Sequence, residues 1–198
     1  MAARKPPRND RTSSGPVEQQ PAIRVRSGSM ADFDVILALM DEAIVWLTAA
    51  GRTGQWGSEP FSAGPARVEH MRNEVETNDL WMAEIDNEPV GAMLLGEGPT
   101  VYIAPADEPE LFLHLLVASR RHVGRGIGRA LVEQARTVAA ERGIDLIRVD
   151  CYAGDDRKLV AAYERLGFTP TDPFTVPLPD RDWPGQVLAM HLSDPVDL

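Results

Sequence analysis

A single cysteine, Cys151, rules out an internal disulfide and any cysteine-based metal cluster. Four scattered histidines show no ligand spacing, so no metal site is expected. No apolar run approaches the roughly 20 residues that cross a bilayer. The basic start also lacks the apolar core of a secretory signal. These absences point to a soluble cytoplasmic protein without a membrane partner. Positive charge is scarce as well: the formal net charge is −10. Arg4, Lys5, Arg8 and Arg11 lie within residues 1–20, which leaves the remainder more acidic still. Nucleic acid needs a basic face and is not an expected partner. An acidic body suits a cationic substrate such as an amine, although acidic surfaces commonly serve solubility alone.

What is present is ordinary for a globular chain, with 43% hydrophobic and 25% charged residues. The 198 residues suit one domain plus a tail. Residues 1–20, rich in Pro, Arg, Ser and Gln, are predicted to be disordered, and residues 21–198 to form the domain. Ile23 to Arg26 alternates as a first strand. Phe33, Ile36, Leu37, Met40, Ile44 and Leu47 keep helical spacing, with Ser29 or Asp32 as cap and a stop near Gly51. Residues 51–65 read as a loop, and Pro65 opens a polar helix to about Asn78.

Leu80–Ile85 and Val90–Leu95 predict a hairpin across residues 86–89. After a Pro- and Gly-interrupted loop over 96–109, Leu111–Val117 is a nearly continuous apolar run suited to a central strand. A helix from Gly126 to about Arg142 and a strand over Asp145–Cys151 complete one parallel crossover. A short helix from Asp155 to Leu166 ends at Gly167. Strands starting at Phe168 and at Gln186 close the chain. The expected fold is a mixed α/β domain, mostly antiparallel, with six to seven strands, about four helices and no internal repeat.

Gly124, Gly126 and Gly128 punctuate the corner between the apolar strand and the helix. Glycine lets backbone approach a ligand closely, and a helix start offers unpaired N–H groups and a positive dipole end. Together they make a phosphate-binding corner. A nucleoside-triphosphate loop would need Lys and then Ser or Thr, where this chain has Arg129-Ala130. A dinucleotide fold would need a different glycine spacing near the start of a parallel sheet. Neither fits.

The segment from Leu115 to Leu131, including Arg120-Arg121-His122-Val123-Gly124-Arg125-Gly126-Ile127-Gly128-Arg129-Ala130, resembles the acetyl-CoA-binding segment of the GNAT acetyltransferase superfamily. Downstream, Tyr163-Glu164-Arg165-Leu166-Gly167-Phe168 is similar to that superfamily's Tyr-Glu-x-x-Gly-Phe signature. The resemblance covers roughly residues 22–193. Two positions depart from it: Val123 stands where Gln or Arg is frequent, and Asp156 where Asn is frequent.

The resemblance implies an N-acetyltransferase that uses acetyl-CoA, no metal, and an amine acceptor attacking directly. The alternatives are another acyl-CoA or acceptor, or a non-catalytic acyl-CoA-binding module. Pantetheine would lie along Leu116, Val117 and Ala118, and the pyrophosphate on the amides of Val123 to Arg129, with Arg125 and Arg129 adding charge. Asp156 would be a further cofactor contact. Tyr163 would protonate the leaving thiolate, although its place on the stripe Leu159–Ala162–Tyr163–Leu166 equally suits core packing. His114 reads either as a satisfied core histidine or as the general base, with Glu110 as the other candidate base. Trp46, Trp56, Phe61 and Tyr102 are expected around the acceptor, with Glu42, Glu59 or Asp107 drawing a cation. Homodimers are common in such a family.

Overall fold

The computed structural model describes residues 21–154, 156–179 and 181–193. The tail over residues 1–20 and the predicted helix start at Asp155 lie outside them. The first strand, β1 (Ile23–Ser27), leads into α1 (Phe33–Ala49) through a 3₁₀ turn at Met30–Asp32. Ser29 and Asp32 form a reciprocal capping box at that turn, satisfying amides that no earlier residue can pair. A second 3₁₀ turn, Phe61–Ala63, interrupts the glycine-rich loop before α2 (Pro65–Thr77). There Pro65 occupies the helix start, where a missing N–H costs nothing.

The hairpin of β2 (Asp79–Ile85) and β3 (Glu88–Glu97) turns on Asp86-Asn87 alone. Both have positive φ, 52° and 64°, the twist that two-residue hairpins need. The crossover comes next as β4 (Glu110–Ala118), α3 (Ile127–Arg142) and β5 (Leu146–Tyr152). Then come α4 (Lys158–Glu164), β6 (Thr169–Pro177) and β7 (Asp182–His191). The last strand begins four residues before the expected start at Gln186. Pro184 lies just beyond the β5 ladder, and its carbonyl still accepts the Ala153 N–H at 2.9 Å.

Among the described residues these strands form one sheet in the order β1-β2-β3-β4-β5-β7-β6. Only β4 and β5 are parallel. Helices α3 and α4 cover one face, where Leu111, Leu113, Leu131, Ala135, Ile147 and Tyr163 pack together. Helices α1 and α2 cover the other, against Met82, Leu94, Leu115 and Val117. No described helix is long and apolar enough to cross a membrane.

The sheet is irregular in two places near its centre. Strands β4 and β5 pair only from Glu110–Leu146 to Leu113–Val149, then diverge, while β4 stays paired with β3 as far as Ala118. The β3–β4 register also slips: Leu94 faces Leu115 and Leu95 faces Leu113, so His114 is the extra residue of a β-bulge. A bulge inverts the alternation beyond it. Accordingly Leu113 packs on the α3 face, whereas Leu115 and Val117 pack on the α1–α2 face.

Candidate active site

The divergence of β4 and β5 opens the sheet at its centre. From His114 to Ala118, β4 has no β5 partner, so its backbone on that side is free to pair with an extended ligand. The corner after it is built by local sequence. Ser119 caps a 3₁₀ turn at Arg120–His122, and Gly124 and Gly126 then take φ of 80° and 83°. These left-handed values require glycine in practice. Gly128 is different: its φ is ordinary and an added Cβ would meet nothing closer than Leu166 at 3.9 Å. The left-handed backbone therefore needs only the first two glycines, while Gly128 leaves the close approach to a ligand open.

The first helical bond of α3 joins the Ala130 N–H to the Gly126 carbonyl at 2.9 Å. The amides of Ile127, Gly128 and Arg129 lie ahead of it, at the positive end of the helix. Arg129 is exposed and Val123 is 66% exposed. Arg125 donates to the Pro21 carbonyl at 3.2 Å, tying the segment before β1 to this corner.

A cleft of about 970 Å³ runs from the divergence between the end of α1, the loop at Gly51–Gln55, and α4. Arg52, Arg120, Lys158, Arg165 and Arg181 line it. The Arg120 guanidinium stacks 3.6 Å from the Trp46 ring, and its buried Nε has no hydrogen-bond partner. Burial lowers the Arg120 pKa, against the pull of Glu42. An orphaned guanidinium nitrogen among five cations fits a polyanionic ligand. Asp156 accepts the Lys158 N–H at 3.1 Å and lies 3.0 Å from Arg52, so it bridges the two walls of this cleft. Its hydrogen bond to that amide is the main reason its carboxyl is held below the usual range.

Beyond the cleft, and sharing Gln55, Tyr152 and Leu159 with it, lies a cavity of about 210 Å³. Leu116, Tyr163 and His114 all line it. Tyr163 packs edge-on against Phe168, with ring centroids 5.8 Å apart. Burial, together with Cys151 and Asp150 nearby, raises its hydroxyl pKa well above the ordinary range, so it stays protonated. The bulge presents His114 toward α2, where Nδ1 lies 3.4 Å from Glu74 Oε2 without completing a hydrogen bond. Glu74 also accepts from Asn78 at 3.1 Å. Desolvation lowers the His114 pKa while the Glu74 charge opposes it, so the imidazole is in its neutral, proton-accepting form near neutral pH. Gly96 makes room for this arrangement: a Cβ there would sit 2.0 Å from Asn78 Oδ1 and 2.8 Å from His114 Nε2.

Several expectations are corrected. Glu110 opens β4 at the paired end, away from the divergence. Arg148 grips it at 2.6 and 2.7 Å, and it also accepts the Ala106 N–H. A carboxylate so engaged is a structural anchor and is removed from the candidate bases. Phe61 is buried in the α1–α2 core under the Arg67 guanidinium, outside both cavities. Trp46 lines the basic cleft and Trp56 the smaller cavity. Glu42 is consumed by Ser119 and the amides of Arg120 and Arg121. Cys151 lines the cavity, but burial pushes its thiol up to about 12, which leaves no nucleophilic thiolate.

The sequence reading missed Glu74, Asp150, Tyr152 and Trp183, which line the same cavity. One signal for Glu74 was present: it shares a helix face with the buried Met71 and Val75. Asp150 falls on the face of β5 opposite Val149 and Cys151, but only the divergence from β4 makes that face a cavity wall. Burial raises the Asp150 carboxyl to about 6, while the Tyr102 hydroxyl, 3.4 Å away, works against that rise. Among the described residues, no group of three or more His, Cys, Asp or Glu is placed to hold a metal.

Comparisons with known proteins agree with this geometry. The acetyltransferase (GNAT) family model matches residues 40–168. The uncharacterized N-acetyltransferase YesJ of Bacillus subtilis is 25% identical over 74% of this chain and 88% of its own length. Mycothiol acetyltransferase of Beutenbergia cavernae is 32% identical over 65% of this chain, a match spanning only 42% of that protein. The structure of yncA from Salmonella typhimurium, described with its cofactor acetyl-CoA, superposes with a TM-score of 0.58 at 15% identity. That match covers 89% of this chain and 99% of that one. A divergent parallel strand pair, a glycine-built helix start and a basic cleft thus coincide with a family match over most of the domain, and the chain belongs to the GNAT acetyltransferase family and is an acyltransferase.

Proposed function

We propose that the protein transfers an acetyl group from acetyl-CoA to an amine by direct attack, in a single bound complex. The observation that carries this reading is the opening between β4 and β5, with the cavity holding His114 and Tyr163 adjoining the basic cleft at Gln55, Tyr152 and Leu159. Leu116, Val117 and Ala118 would pair with the pantetheine arm, and the amides from Val123 to Arg129 would take the pyrophosphate. Arg52, Arg120 and Lys158 would add charge. The acetyl-CoA bound to the Salmonella neighbour supports this choice of donor.

Acetyl-CoA supplies the activated thioester and a thiolate leaving group. Everything else falls to the chain. An alkylammonium is only about 0.04% neutral at pH 7, so a proton acceptor matters. His114 takes that role, with Glu74 stabilising the imidazolium as it forms. An amide of β4 near Leu116 or Val117 donates to the carbonyl oxygen as negative charge develops there. Tyr163 donates to sulfur. Across the reaction an N–C bond forms, the C–S bond breaks, one proton ends on sulfur and one in solvent.

Tyr163→Phe tests the assignment because it keeps the ring packing and removes only the hydroxyl. A fall in kcat of about 100-fold with unchanged acetyl-CoA affinity is expected. An unchanged kcat would remove Tyr163 from the chemistry.

A further inference from the structure

Charge differs between the two adjoining cavities. Five cations and Asp156 line the cleft, whereas the smaller cavity has Asp150, Glu74, His70 and His114 and neither arginine nor lysine among its lining residues. Any carboxylate or phosphate on an acceptor would face two like charges there, with no arginine or lysine to offset its lost hydration. Glu74 is already engaged by Asn78 and stands beside His114. Asp150 is not so engaged: the Tyr102 hydroxyl is its side-chain partner, and it makes no ion pair among the described residues.

The remaining walls are mostly aromatic and aliphatic. Trp56, Tyr102, Tyr152 and Trp183 line the cavity, and Phe174 braces Tyr102 and Trp183 from behind, with ring centroids 5.5 and 6.1 Å away. Ring faces attract an ammonium and pack an apolar body. Thr100 Oγ1 is buried in the same lining without completing a hydrogen bond, so a bound polar group could satisfy it, whereas His114 Nδ1 faces Glu74 at 3.4 Å. At about 210 Å³ the cavity is far smaller than the cleft beside it, which suits a compact acceptor.

We propose that the acceptor is a compact primary amine carrying no anionic group, its ammonium seated on Asp150 and its body held among Trp56, Tyr102, Tyr152 and Trp183. Free amino acids are then poor acceptors, because the α-carboxylate would enter the acidic cavity beside the reacting nitrogen. The inference rests on the transferase reading above, since it assigns the second substrate of that reaction.

The test compares matched pairs on the full chain: isobutylamine with valine, and cadaverine with lysine. For each pair, kcat/KM is measured with acetyl-CoA, and binding is measured by calorimetry on the free and CoA-loaded protein. Each amine is expected to exceed its carboxylated counterpart by at least about tenfold. Asp150→Asn is expected to weaken amine binding about 10- to 100-fold, the loss of one charge-assisted contact, while acetyl-CoA affinity stays within about twofold. Amino acids handled as well as amines, or amine affinity unchanged in Asp150→Asn, would overturn the proposal. So would the absence of amine binding in both protein forms. Failure of acetyl-CoA to bind would instead sink the transferase reading, and the amine calorimetry on the free protein would still decide for or against this one.

Discussion

Replacing Asp150 by asparagine removes a charge that the fold holds at a cost. The carboxyl rises from an ordinary value of 3.8 to about 6, chiefly through burial. At 1.36 kcal/mol per unit, ionising it in place costs about 3 kcal/mol more than in the unfolded chain. The sign is set by the protons bound. Between about pH 4 and 6 the native carboxyl keeps its proton and the unfolded one has lost it, so unfolding free energy falls as pH rises through that window. Asparagine keeps the volume and can still accept from Tyr102, yet it has no proton to lose. Asp150→Asn is therefore expected to match the parent below about pH 4 and to exceed it by about 1–3 kcal/mol above pH 7. For a domain of this size that is a Tm gain of roughly 2–12 °C. Paired urea or thermal melts from pH 4 to 8 measure it, because other titrating groups cancel in the difference at each pH. A difference that does not vary with pH, or a variant less stable at pH 8, would refute the reasoning. A stabilised variant that loses amine affinity would be the trade expected of a functional carboxylate.

The glycines of the helix corner separate two effects. Gly128→Ala should leave the fold intact or stabilise it by up to about 1 kcal/mol, since its φ is helical and its space open. If the pyrophosphate rests on that turn, acetyl-CoA affinity should fall, which calorimetry reads. Gly126→Ala should cost about 1–2 kcal/mol in denaturant melts through its positive φ alone. Saturating acetyl-CoA at about 100 times Kd should raise Tm by roughly 5–11 °C, and no shift would remove acetyl-CoA as donor. Arg26 holds the buried carboxylates of Asp32 and Glu84, whose pKa values are lowered mainly by bonding to it. That stabilisation is complete above about pH 4 and lost as pH falls below it. Arg26→Met should therefore melt lower at pH 7, with the gap closing in acid.

Much of the frame was legible in the chain because it depends on local chemistry. The spacing of Ile36, Met40, Ile44 and Leu47 marks α1, and the turn residues over 86–89 between two apolar runs mark a hairpin, which the structure tightens to Asp86-Asn87. Gly124 and Gly126 set a left-handed corner before Ile127 whatever packs around them. The acceptor cavity was much less so. Glu74, Asp150, Tyr152 and Trp183 come from α2, β5 and β7, and nothing in their sequence neighbourhoods relates them. The prediction for Phe61 failed because an aromatic in a loop is indistinguishable, by sequence, from one folded under α1. Glu110 failed because its partner, Arg148, lies on a strand 38 residues away.

The bulge at His114 marks the boundary most plainly. Leu111 to Val117 is apolar at nearly every position, and such a run carries no period from which a one-residue slip can be read. The sequence alone therefore determined a central strand, a glycine corner and a helix behind it, because those arise from propensity and backbone sterics. Tertiary pairing decided that β4 would bulge at His114 and part from β5 after Leu113. Those two departures turn a histidine toward Glu74 and open the sheet beside Asp150 and Tyr163, and only the competing packing of both sheet faces could select them.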